Sequence, residues 1–166
     1  MYETSKELDD LQALLDRSYA RAGSHLLSIH TPSWRMSAQD LSETLVKVCV
    51  MDLATVGGQG NPIVAPVDGL FLHGKFWFGS GNNSLRFRHI RNNPQVSAAH
   101  TRGEELSIIV HGKAQEIDVS TGEYGDLREY CREIYPDYDN WGMWGKQPYA
   151  YIHATSLFAI RIVLPD

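Results

Sequence analysis

The sequence predicts a mainly β domain: an antiparallel sheet of about six strands with helices at its edges. Three observations carry this. Between residues 49 and 78, three apolar strand-like runs are separated only by glycine-, asparagine- and proline-rich turns, too short for the crossovers that parallel strands need. Two more runs, 96–101 and 106–117, are joined by the four-residue turn Arg102-Gly103-Glu104-Glu105. Helical periodicity is confined to the first 45 residues and to two later segments.

In chain order, Leu8, Leu11, Leu15, Tyr19 and Ala22 recur at helical spacing. Thr4 and Glu7 stand at capping-box spacing, and Gly23 is placed to end the helix. Residues 24–36, with Thr31-Pro32, read as a connector. A short helix follows from Ser37, with Asp40 three residues on and Leu41 and Leu45 turned inward. Cys49–Val56 reads as a strand, 57–62 as a turn, and Ile63–Leu72 as a returning strand irregular around Pro66. His73-Gly74-Lys75 turns the chain into Phe76-Trp77-Phe78. A helix is expected over Ser84–Asn92, stopped by Asn93-Pro94, then strands over Val96–Thr101 and Leu106–Ile117, whose Gly112 marks a bulge or corner. A third helix is expected over Thr121–Tyr135, then a structured loop from Pro136 to Pro148 and a closing strand over Tyr149–Leu164. A sheet of this size hides its edges by stacking as a sandwich or closing as a barrel.

With 166 residues and no compositional break, one domain is expected, carrying an N-terminal helical extension over about 1–45. The net charge of −5 argues against a general nucleic-acid binder, which needs a basic footprint. The opening residues are polar and acidic, unlike a secretory leader, and no apolar run is long enough to span a membrane. Cys49 and Cys131 form no CxxC pair, which suits a reducing compartment, so a cytoplasmic location is expected.

The segment from Phe76 to Arg86 is the chemically informative one: strand, Gly/Asn turn, helix start. Such a turn lets backbone N–H groups approach a phosphate at the favourable end of a helix dipole. Ser80 and Ser84 add hydroxyls, and Arg86 can fork onto phosphate oxygens. The same spacing also suits a plain Ser84 cap with a solvated Arg86. The glycines mimic part of a GxGxxG fingerprint, but the surrounding hairpins contradict a dinucleotide fold.

The run Ser80…Ser84-Leu85-Arg86…Ile90…Asn93-Pro94…Val96-Ser97 resembles the pyridoxamine 5′-phosphate oxidase-like family of FMN-binding split barrels. Leu53-Ala54-Thr55-Val56 resembles that family's first strand and Gly112-Lys113-Ala114 its later "GKA" strand. The resemblance implies an antiparallel six-stranded split β-barrel working as a homodimer, with FMN at the two-fold interface. It places Arg86 on the FMN phosphate, with Gly79, Ser80, Ser84 and Leu85 around it. It lays the strand Val64, Ala65, Pro66, Val67 and Asp68 along the isoalloxazine ring, mostly through backbone groups, and puts Ser107 at a neighbouring polar position. Trp141 or Trp144 would cover a flavin face from the partner subunit or, equally, pack its own loop. Leu85 stands where many members carry arginine, which implies a one-cation clamp. The strand lacks the basic residues of the true oxidase, which points away from the vitamin B6 reaction.

The function implied is flavin-dependent electron or hydride transfer on a substrate the sequence does not name. The alternatives are the same fold holding deazaflavin or haem, or a flavin-binding module without turnover. A deazaflavin's anionic tail would want more cations than Arg86, Arg88 and Arg91 supply, and a haem would want a pocket histidine. The seven histidines (25, 30, 73, 89, 100, 111 and 153) show no ligand spacing. His89 is expected on an exposed helix face, and His100 and His111 on adjacent strands within reach of each other. Tyr124, Arg128 and Arg132 share a helix face, read as solvated and paired with Glu129 and Glu133.

Overall fold

The computed structural model describes residues 2–162. Six antiparallel strands close into a barrel in the order β1-β2-β3-β6-β5-β4. They are β1 (Cys49–Val56), β2 (Pro62–Leu72), β3 (Lys75–Gly79), β4 (Gln95–Arg102), β5 (Leu106–Ile117) and β6 (Tyr149–Arg161). Pairing of β1 with β4, Asp52 opposite Ala99, closes the ring. Alternation along β1 sends Cys49, Met51, Leu53 and Thr55 inward, where they meet Phe76, Phe78, Val110 and Leu157 in the core.

The β2–β3 turn places both His73 and Gly74 at positive φ, 54° and 67°, the backbone that matches a two-residue hairpin to the twist of its strands. Gly112 sits where the β5–β6 register slips: His111 pairs with Ser156 but Gly112 with Ala154. A Cβ there would lie 2.2 Å from the carbonyl oxygen of His153, so only glycine lets the strands approach. Pro66 causes no irregularity, because its register with Asp52 runs unbroken. Pairing of β2 with β3 begins only at Gly69, so Pro62–Asp68 is bonded to β1 alone and its other edge is free. A proline is tolerated on such an edge, where no donor is needed.

Helix α1 (Ser5–Ala20) has the expected Thr4–Glu7 capping box and lies on β6. Ser18 Oγ accepts from Leu157 N, and the Tyr19 hydroxyl donates to Ala159 O and accepts from Ala159 N. The helix ends at Ala20 rather than at Gly23, which instead caps α2 (Ser24–Ile29), so the expected connector is partly helical. Helix α3 (Ala38–Thr44) carries the Ser37–Asp40 capping box and buries Leu41, with Leu45 buried at its C-cap. Helix α4 (Leu85–Asn92) follows a Ser84 cap. Helix α5 begins later than expected, at Gly125 (Gly125–Ile134), because the Asp118 side chain caps a separate 3-10 turn at Val119–Thr121. It covers the outer face of β2, β3 and β6 and seals a second apolar cluster around Leu70, Trp77, Leu127 and Tyr149. The expected strand end at Leu164 lies outside the described residues. None of the described helices is long and apolar enough to cross a membrane.

Candidate functional site

The free edge of β2 and the N-terminus of α4 stand side by side, joined by one side chain. Arg86 Nη2 donates to the Pro66 carbonyl at 2.9 Å, and Nη1 reaches Ser80 Oγ at 3.4 Å. Burial alone pushes the guanidinium pKa down, although it keeps its charge. Neither acceptor is a carboxylate, so among the described residues Arg86 is a half-buried cation without a counter-ion.

Beneath it lies a cavity of about 200 Å³ lined by Ser84, Leu85 and Arg86 with Thr55, Ile63 and Ala65. The amides of Leu85 and Arg86 occupy the first helical positions and so have no intrahelical acceptor. Other donors of the turn are taken: Ser80 N bonds Pro148 O, Ser84 N bonds Gly81 O, and Ser84 Oγ accepts from Phe87 N. The capping reading of Ser84 therefore holds, while its hydroxyl still borders the cavity. Together these groups fit one phosphate: a guanidinium donor not already bonded to Pro66 or Ser80, two open amides and a hydroxyl.

The other predicted residues separate into groups. Val64, Pro66 and Asp68 face outward along the free edge, Ala65 lines the cavity, and Val67 is buried, offering backbone only. Gly79 lies against the ring of Tyr149 and borders a different cavity. Ser107 faces outward on β5, opposite Thr101 of β4, and is divided from β2 by both β4 and β1. Trp144 packs on Tyr138 and Tyr149 under Arg128, whereas Trp141 is 51% exposed.

Three expectations about side chains are corrected. His89 is buried, not exposed, because it turns under α4 to bond Thr55 Oγ1 through Nδ1 at 3.0 Å. His100 and His111 do not meet: His100 turns inward to Val50 O and His111 outward to Ser97. Arg128 and Arg132 pair with Asp139 from the following loop rather than with Glu129 and Glu133. Sequence reasoning also missed the outer sheet face on which the exposed or half-exposed apolar side chains Val50, Ala54, Val64, Ala99 and Ile109 flank the exposed Asp52.

No protein-family profile and no curated protein matches the sequence. Solved structures do match the fold. A conserved hypothetical protein of Mycobacterium tuberculosis has a TM-score of 0.64 at 17% identity, over 82% of this chain and 97% of that one. HutZ, the heme storage protein of Vibrio cholerae, gives 0.62 at 16% identity, over 74% and 93%. An FAD-binding protein of Mesorhizobium loti gives 0.58 at 18% identity, over 77% and 96%. The fold is therefore the split barrel, whose known examples include flavin-binding and heme-storing proteins.

Proposed function

We propose that this protein binds FMN, with the phosphate held at Arg86 and the ring laid along the free edge of β2, between two copies of the chain. The observation that carries the reading is the half-buried, carboxylate-free Arg86 placed between that edge and the open amides of α4. Each part has its own task. The guanidinium and the Leu85 and Arg86 amides neutralise and orient the phosphate. The unpaired edge from Val64 to Asp68 offers backbone donors and acceptors to a flat heterocycle. When bound, the flavin supplies electron or hydride transfer through its own ring.

The dimer is supported by the exposed apolar side chains that flank Asp52 on the outer sheet face. Val50 and Val64 are 52% and 64% exposed on it, and burying such a patch is what subunit association does. The likeness to an FAD-binding protein is consistent with a flavin, and that to a heme storage protein keeps haem as the second reading. The exposed His111 on the same face is the imidazole a haem would use.

The visible spectrum of the purified protein, before and after adding FMN, tests the proposal. A flavin spectrum with saturable uptake of one FMN per chain is expected. A Soret band, or no uptake of FMN, would overturn it.

A further inference from the structure

A second cavity, of about 250 Å³, lies between the sheet and α5 with its following loop. Asp68, Gly79 and Tyr149 come from the strands; Tyr135, Tyr138 and Trp141 come from the C-cap of α5 and the loop that follows it. The last three rings form one wall. Tyr135 stands 5.3 Å from Trp141 and 6.5 Å from Tyr138, and Tyr138 stands 6.0 Å from Trp141.

The chemistry of this lining is selective. Asp68 is the only charged residue among the described residues that line it, so an anion would meet repulsion. The Tyr138 and Tyr149 hydroxyls bond each other, and Gln147 donates to Tyr149, so these polar groups are already satisfied. Burial first, and the Asp68 carboxylate next, push the Tyr135 phenol up to about 12, which keeps it neutral at physiological pH. What remains on offer is ring surface and one carboxylate, which the Tyr135 hydroxyl shares. Ring faces attract cations through their quadrupole, and a buried cation also needs a counter-charge. The same aromatic cluster already holds one cation, with the Arg128 guanidinium 5.8 Å from the Trp144 ring centre.

We infer that this cavity binds a small organic ammonium ion, its alkyl groups against Tyr135, Tyr138 and Trp141 and its charge facing Asp68. The volume is below the roughly 300–1,000 Å³ of drug-sized pockets, which suits a compact quaternary head group. The cavity borders the proposed flavin site, sharing Asp68 with it, but the flavin reading asks only backbone groups of that residue.

Calorimetric titration with choline and with its uncharged carbon isostere, 3,3-dimethylbutanol, tests the inference. Saturable choline binding is expected, about tenfold tighter than the isostere, as several partly exposed cation–ring contacts together with one carboxylate imply. Asp68→Asn should weaken choline about tenfold and leave the isostere unchanged, and Trp141→Leu should weaken choline about fivefold and the isostere less. Both side chains are exposed, so both variants should keep the native circular dichroism spectrum; if Asp68→Asn does not, Trp141→Leu decides. No saturation with choline, equal binding of the isostere, or undiminished choline affinity in a folded variant would overturn it.

Discussion

Replacing Arg86 with alanine should weaken FMN far more than riboflavin, which lacks the phosphate. The size follows from how the guanidinium is employed. One N–H already serves the Pro66 carbonyl and another leans on Ser80, so the remaining donors can make one charge-assisted contact to a phosphate. Hydrogen bonds to charged groups contribute about 1.5–3 kcal/mol. At about 1.4 kcal/mol per decade, FMN affinity should fall roughly 10- to 150-fold. Arg86→Lys keeps the charge but not the fork and should fall between wild type and alanine. The assay is equilibrium titration of flavin-free protein, followed by quenching of flavin fluorescence, with FMN and riboflavin in parallel. Equal FMN affinity in wild type and Arg86→Ala would refute the reasoning. So would equal losses for the two ligands, since the phosphate would then not be what Arg86 holds.

Four further outcomes follow from the same structure. Val50→Asp should convert a dimer to monomers in light scattering, because it replaces an exposed apolar side chain of the outer face with a second carboxylate beside Asp52; an unchanged mass would exclude that face as the interface. Gly112→Ala should lower Tm by roughly 2–12 °C, since an overpacking cost of about 1–3 kcal/mol meets backbone rather than a side chain that can move; an unshifted melting curve would contradict this. At Glu7 burial raises the pKa, but bonds from Thr4 and His73 outweigh it and the net shift is downward; Asp40, bonded by Ser37, is lowered too. Their stabilisation is thus full above the ordinary carboxyl range and lost as pH falls through the depressed values. Melting scans from pH 6 to about 3 should show a shallower acid loss in Glu7→Gln/Asp40→Asn than in wild type, and parallel curves would count against it. Burial pushes the Cys49 and Cys131 thiols up to about 11, so a disulfide reagent at neutral pH should label them only after unfolding; rapid labelling of native protein would contradict the buried placement.

The strands were legible in the sequence because their turns are chemically explicit, whereas closure into a barrel rather than a sandwich came only with the family resemblance. The bounds of β1 and β5 coincide with the apolar runs between Gly/Asn/Glu turns, and both capping boxes form where their Thr/Ser and Glu/Asp spacing puts them. Local signals failed where a tertiary contact decided. Gly23 has the chemistry of a helix stop, yet the chain breaks two residues earlier and uses it to start α2. His89 carries no sign of the Thr55 hydroxyl waiting beneath α4. At the candidate site, the order Ser80, Ser84, Arg86 was readable, and the structure brings the three together. The free edge of β2 was not, because an unpaired strand segment is a property of the register and not of the residues in it. The aromatic cavity was hidden for a similar reason: the crowding of tyrosines and tryptophans over 135–149 was visible, but its opposing carboxylate, Asp68, comes from a strand far away in the chain.

A crystal structure of the protein grown with FMN would test the central idea most directly. The account predicts the phosphate within hydrogen-bonding distance of the Arg86 guanidinium and the Leu85 and Arg86 amides, with the ring beside Val64–Asp68 at a two-fold axis. A phosphate seated elsewhere, with Arg86 still bonded only to Pro66 and Ser80, would contradict it.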